Sequence, residues 1–435
     1  MDNRSREFSV KPLVQVLFFL LLTTYMYNRV FHIGINLYLS DFIVMAIMAL
    51  SVIQMVGRNQ IYQYRRFIFL FALLFLYYVF LIFYSYALLG NSINDVFGRF
   101  RNLFFYPLLF FAGLVFTRGK ADMNRYLGMI KIYLVIAVGI GMAGLVYPSL
   151  RMAKIYARDE AGAAVVEPLY YMIVEHGTTL LCGLIVIHQL LYLLKKPKNI
   201  LKPVFFVTVG LIGIIGSQNR SIYIVLLLSF FLMGWYTRKT ERKIKARAKT
   251  AALFLILLLA GSIVVLIYSP LYEKFQDRID ETINTFTGEK EFFNSITGVR
   301  LARTLITFNA WWKTPVLGCG WGNQITEYDI YDFQGNYVRT SYGTPHNYYL
   351  TILYQTGIIG FVIMIFILSG IYRALKPANR LTRENTTEYT LFIFYLVFLV
   401  FNVANTHLYG HPVFIPLNFF LWGAAVSYSF QLKNE

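Results

Sequence analysis

Long apolar runs separated by short polar connections set the rhythm of this chain, and the runs have the length a lipid bilayer demands. A hydrocarbon core of about 30 Å is crossed by about 20 predominantly apolar helical residues. Runs that reach or approach this length occupy 13–28, 35–56, 67–89, 103–117, 127–147, 169–194, 203–218, 221–236, 250–268, 347–372, 388–404 and 412–430. They predict an all-α polytopic membrane protein of about twelve transmembrane helices, the fourth and seventh from short runs. One connection stands apart: residues 269–346, between the ninth and tenth helices, form a large polar loop. No shift in composition marks a separate globular module, so the expectation is a single membrane domain over 1–435 with this one loop.

Charged residues make up only 14% of the chain, where soluble domains carry about a quarter, which excludes an ordinary soluble fold. The formal net charge of +18 fits nucleic acid or an acidic partner as well as a membrane protein, so the placement of the basic residues decides. With the N-terminus in the cytoplasm, the cytoplasmic connections hold Arg58, Arg65 and Arg66, then Arg118, Lys120 and Arg125, then Lys195, Lys196, Lys198 and Lys202, and a dense run from Arg238 to Lys249. The short connections of the opposite face are poorer, and much of that face's positive charge sits in the 269–346 loop, where the positive-inside bias is weak. The charge therefore reads as topogenic: both termini cytoplasmic, the large loop on the outer face, membrane lipids around the chain and no nucleic acid. The first apolar segment follows a basic stretch without a small-residue cleavage site and reads as a retained helix. Cys182 falls in a span and Cys319 in the outer loop, which suggests neither a disulfide nor a thiolate metal cage.

Candidate chemistry collects on the outer face. The seventh and eighth spans meet in Gly216-Ser217-Gln218-Asn219-Arg220-Ser221, a tight turn that sets one arginine at the membrane surface. The large loop begins acidic, then passes through Thr297-Gly298-Val299-Arg300 into a segment where Leu301, Leu305, Phe308 and Trp312 recur at helical spacing. That helix should end before Lys313-Thr314-Pro315, because proline disfavours helix at the residue before it. Next comes Gly318-Cys319-Gly320-Trp321-Gly322, with two readings: a tight turn, or a nest of backbone N–H groups facing an anion. It lacks the lysine and serine or threonine of a nucleotide-binding P-loop. His346 and Asn347 then open the tenth span, in which Gly357 and Gly360 let helices pack closely.

Three separated pieces resemble the bacterial O-antigen ligase and polymerase superfamily of membrane glycosyltransferases. They are Ser217-Gln218-Asn219-Arg220; Gly298-Val299-Arg300 with Trp311, Pro315, Gly318 and Gly320; and His346-Asn347 with Gly357 and Gly360. The likeness covers the region from about 200 to 372, and the rest of the chain matches mainly in helix count. Asn219 stands directly before the arginine where the family often has serine. The resemblance implies a GT-C-like fold in the bacterial inner membrane, with an active site that faces the periplasm and is partly built from the 269–346 loop. It implies a glycan donor linked through diphosphate to undecaprenol, and an acceptor that is lipid A-core or the growing glycan. The implied transfer is inverting, needs no metal or other cofactor, and serves lipopolysaccharide or related polysaccharide biosynthesis. On matching positions it puts Arg220 and Arg300 at the diphosphate and His346 near the acceptor.

The residue types suit that chemistry on their own terms. Breaking a sugar–diphosphate bond puts charge on the leaving phosphate oxygen, which a fixed guanidinium neutralises with two hydrogen bonds. The acceptor hydroxyl loses a proton as it attacks, and neutral imidazole is matched to taking it near neutral pH. Arg303 and Asn347, beside these residues, are candidate substrate-binding groups. So are Arg151 and Arg158, which with Lys154 have the spacing of one helical face before the sixth span and could attract a phosphorylated acceptor. A divalent ion is the other way to hold a diphosphate, but the loop has no Asp-x-Asp; Asp329 and Asp332 flank Ile330-Tyr331 instead. Each candidate has a plainer role open to it. Arg220 could snorkel to headgroups, Arg300 could counter Glu289 and Glu291, His346 could pack at the interface, and the 151–158 cluster could anchor to lipid.

Elsewhere, Asp41 in the second span and Glu175-His176 in the sixth are intramembrane ionisable groups, either functional or engaged in hydrogen bonds between helices. His407 and His411 read as interfacial. The expected activity is a ligase passing glycan to lipid A-core, with a polymerase that lengthens lipid-linked glycan as the alternative in the same superfamily. A transporter or flippase of lipid-linked sugar is the rival from another class; its internal repeats and paired mid-membrane charges are not visible in the sequence. A scaffold would tolerate replacement of Arg220, Arg300 and His346 alike.

Overall fold

The computed structural model describes residues 10–24, 30–33, 35–57, 63–146, 153–158, 164–168, 176–193, 199–217, 220–237, 296–323, 325–331, 337–342, 347–377, 385–403 and 414–434. Helices carry the architecture: α1 (Lys11–Thr23), α2 (Leu39–Gly57), α3 (Arg65–Phe83), α4 (Ile93–Phe100), α5 (Leu109–Phe116), α6 (Lys120–Val146), α7 (His176–Leu193), α8 (Leu201–Gly216), α9 (Arg220–Thr237), α10 (Ile296–Trp312), α11 (Tyr348–Leu375), α12 (Thr386–Phe401) and α13 (Phe414–Asn434). Between them lie three two-stranded antiparallel hairpins, β1 (Val30–Ile33) with β2 (Ile35–Tyr38), β3 (Ala153–Arg158) with β4 (Ala164–Pro168), and β5 (Ile325–Tyr331) with β6 (Tyr337–Tyr342). Each apolar run marked in the sequence overlaps a helix among the described residues, except 250–268, which lies outside them; the run 35–56 opens with strand β2 and becomes helical at Leu39. Leu39–Val56, Arg65–Leu88, Ile93–Phe116, Lys120–Gly144 and Tyr348–Leu375 are each long and apolar enough to cross a membrane, and shorter apolar helices accompany them. This is the pattern of a helical multi-pass membrane protein.

Two further elements differ from the sequence expectation. The fourth span begins at Ile93 rather than at 103, running through α4, a π-helical turn (Arg101–Phe105) and a 3₁₀ turn (Tyr106–Leu108) into α5. Hydropathy stops at Asp95, Arg99 and Arg101, but Arg101 is buried against Asp41, so its charge does not end the helix. Lys154 and Arg158, expected on a helical face, lie instead on strand β3, which pairs antiparallel with β4.

The chain divides into two compact units. The first comprises residues 1–133, 362–376 and 408–435. In it the rings of Phe18, Tyr126 and Phe420 join α1, α6 and α13, with centroids 4.8–5.0 Å apart. The backbones of α5 and α13 touch where Gly113 faces Gly423: a Cβ at Gly423 would stand 1.9 Å from the carbonyl oxygen of Phe110. Only glycine permits such an approach, as in close helix pairs within lipid. The second unit comprises 134–361 and 377–407. There α7 packs on α8, with Gly210 against Val186 and the Cys182 carbonyl, and α12 packs on α7 and α9. Tyr236 of α9 meets Tyr389 and Phe392 of α12 edge-on.

Candidate active site

The second unit holds the candidate arginines, His346 and Asn347. Arg220 is the first residue of α9. Arg300 lies in the first half of α10, and Arg303 follows three residues later on the same helix. Arg303 is half-buried, and its carbonyl accepts the Thr307 hydroxyl at 2.6 Å. The side chains of Arg220, Arg300 and Arg158, and the whole of Arg151 and His346, lie outside the described residues.

Asn347, the neighbour of His346, caps α11. Its Oδ1 accepts the Leu350 N–H at 3.0 Å, satisfying one of the donors that a helix N-terminus leaves over. Its carbonyl accepts both the N–H and the hydroxyl of Thr351, at 3.0 and 2.8 Å. The start of α11 is fastened to the end of α12: the Tyr348 N–H donates to the Asn402 carbonyl at 3.0 Å, and the Tyr349 hydroxyl to the Leu399 carbonyl at 2.9 Å.

Helix α10 ends at Trp312, as the Lys-Thr-Pro sequence requires, and the chain after it folds back as a short strap onto α11. The contact is made at Gly357, where α11 breaks with φ 61° and ψ −170°, a conformation essentially reserved for glycine. In an unbroken helix the Ile358 N–H would donate to the Tyr354 carbonyl. Here Ile358 N–H donates to the Pro315 carbonyl at 2.9 Å, and the Tyr354 carbonyl accepts the Cys319 N–H at 2.7 Å. Two of the groups released by the break are thus paired by the strap. The Pro315 carbonyl also accepts the indole N–H of Trp311, at 3.2 Å, so one oxygen joins α10 to α11.

The glycine cluster is therefore a docking turn. Gly318, Gly320 and Gly322 all have positive φ, and a Cβ at Gly318 would stand 2.5 Å from the Gly357 nitrogen. The Gly318 N–H is bonded to the Thr314 carbonyl and the Cys319 N–H to α11, so these two are already committed and do not face an anion. Trp321 is fully buried beneath the turn. Cys319 is a free thiol, half-buried, with its sulfur 3.2 Å from the Thr314 hydroxyl. Burial pushes its pKa above the ordinary thiol value, against the opposing pull of that hydroxyl.

Residues 204–365 match the family model described as O-antigen ligase. The match supports the O-antigen ligase and polymerase superfamily, whose members are membrane glycosyltransferase-type enzymes. No curated protein matches the chain. The matched segment contains most of α8, all of α9 and α10, the strap and the first part of α11, so Arg220, Arg300, Arg303 and Asn347 fall inside it, while Arg151 and Arg158 precede it. Sequence reasoning found α10, its end and the glycine cluster. It missed the break at Gly357, read as a packing glycine, and the bridging carbonyl of Pro315, which carries no side-chain signal.

Proposed function

We propose that this protein is an O-antigen ligase of the bacterial inner membrane, passing a glycan from an undecaprenyl-diphosphate carrier to lipid A-core. The observation that supports it best is the tie between α10, which carries Arg300 and Arg303, and α11, which opens at Asn347 next to His346, within the ligase-type segment. Both termini are cytoplasmic, and the 269–346 loop forms part of a periplasmic site in a single membrane domain.

In this reading the diphosphate of the donor lies against Arg220 and Arg300, with Arg303 one turn further along α10. The acceptor hydroxyl oxygen attacks the anomeric carbon from the face opposite the diphosphate, giving inversion. As the new C–O bond forms, the old one breaks and its electron pair goes to the phosphate oxygen, where guanidinium groups neutralise the charge. The hydroxyl proton passes to the imidazole of His346. The diphosphate is itself a good leaving group, so no nucleotide is consumed, and arginines rather than a divalent ion hold it. Arg151 and Arg158 contribute to binding a phosphorylated acceptor at the membrane surface.

The test is transfer by purified full-length protein in nanodiscs, with undecaprenyl-diphosphate glycan and lipid A-core, with and without EDTA. Glycan on lipid A-core in both conditions is the expected result. Lengthening of the lipid-linked glycan with none on lipid A-core would make the protein a polymerase, and movement of unreacted donor across a sealed bilayer would make it a transporter.

A further inference from the structure

We propose that Trp311 and Gly357 are positioning residues of the transfer reaction, acting through the Pro315 carbonyl to fix α10 against α11; this role rests on the transferase reading above. A carbonyl oxygen has two lone pairs, and at Pro315 both are taken, one by Trp311 at the end of α10 and one by Ile358 just past the break in α11. The strap pairs two of the groups that the break releases, the Ile358 N–H and the Tyr354 C=O. If the strap left, the Ile358 N–H and Tyr354 C=O would lose these partners and could pair with each other in a straighter α11, so the seated strap favours the bent form.

Gly357 makes the seat possible twice over. Its φ of 61° suits only glycine, and a Cβ there would stand 2.1 Å from the Val316 carbonyl oxygen. The segment Tyr348–Thr356 is thereby held at both ends, by Asn402 and Leu399 of α12 at its start and by the strap at its finish. That segment follows directly on His346 and Asn347, while α10 carries Arg300 and Arg303. The strap thus sets the register between the proton acceptor and the groups that receive the leaving diphosphate. Ground-state contacts of each helix with its own part of the substrate survive a small slip between them. Alignment of base, nucleophile and leaving group does not, so the effect belongs in kcat.

The experiment compares wild type, Trp311→Phe and Gly357→Ala as full-length protein in nanodiscs. It reads kcat and donor KM in the transfer assay, and the rate and number of thiols that react with N-ethylmaleimide. Cys319 in the strap reports its release, while the fully buried Cys182 reports unfolding. Trp311→Phe keeps the ring and removes the donor; kcat should fall about three- to tenfold with donor KM within about twofold, Cys319 should label faster and Cys182 should stay unreactive. Gly357→Ala should lower kcat by about a hundredfold or more with the same thiol pattern. The proposal is overturned if Cys319 labels faster in Trp311→Phe while kcat stays at the wild-type level, if labelling is unchanged, or if only donor KM moves. Should Gly357→Ala expose both thiols, it has unfolded and Trp311→Phe decides alone. An inactive wild type overturns the transferase reading, and this role with it, and is told apart from the other outcomes because no variant need be compared.

Discussion

Replacing Asp41 with alanine should destabilise the first unit by about 3–5 kcal/mol, the range for leaving one partner of a buried ion pair uncompensated. Asp41 is 1% exposed and Arg101 7% exposed. The carboxylate accepts three donors: Arg101 at 3.2 Å, the Tyr106 hydroxyl at 2.5 Å and the Tyr38 backbone N–H at 2.7 Å. The guanidinium also stands 4.4 Å from the centre of the Tyr38 ring. Each hydrogen bond to a charged group is worth about 1.5–3 kcal/mol, and the three overlap with the ion pair rather than adding to it. Asp41→Asn, which keeps shape and loses charge, should cost less than Asp41→Ala. Asp41→Leu combined with Arg101→Met removes both charges and should lie within about 1–2 kcal/mol of wild type. Unfolding in mild detergent, followed by tryptophan fluorescence, gives the numbers, and a cycle of Asp41→Ala with Arg101→Ala gives the coupling. A cost for Asp41→Ala below about 1 kcal/mol, or additive single replacements, would refute the reasoning.

Three further outcomes are expected. Gly423→Ala should destabilise by about 1–3 kcal/mol or more, since its Cβ would meet the Phe110 carbonyl oxygen at 1.9 Å between two backbones that have no flexible side chain to move aside; the same unfolding assay checks it. Lys11→Met removes the 2.5 Å partner of Asp122, which keeps the Arg118 N–H, so a loss of only about 1 kcal/mol is expected. Cys319 should react with N-ethylmaleimide more slowly than a free cysteine peptide at pH 7–8, and its rate should go on rising beyond the ordinary thiol midpoint of about 8.5. The thiolate is the nucleophile and burial raises the pKa, so a profile that levels off at or below that midpoint would contradict the burial.

Hydropathy located most of the apolar helices, because a membrane helix must satisfy its own backbone and its apolar length follows from bilayer thickness. It failed where a charge is neutralised by a partner far along the chain: nothing local to Arg101 tells that Asp41, 60 residues away, lets the fourth span begin ten residues early. Helical periodicity also misled at Lys154 and Arg158, four residues apart as on a helix face but placed on a strand. The end of α10 was legible because proline acts on its own neighbour. Gly357 was visible as a residue but not as a break, since its role is set by a backbone carbonyl that arrives from Pro315. The functional reading rests on side-chain types and their order, for which the sequence carries the larger share; the strap that ties two of those helices could be found only in three dimensions.

The most direct test of the central claim is kcat for glycan transfer by His346→Ala and Arg300→Ala against wild type, in nanodiscs with undecaprenyl-diphosphate glycan and lipid A-core. Loss of about a hundredfold or more in each variant, with the protein still folded by thiol count, is the expected result, as for removal of a general base or a leaving-group clamp. Transfer at the wild-type rate in either variant would contradict the assignment of that residue, and wild-type rates in both would leave the proposed site without its chemistry.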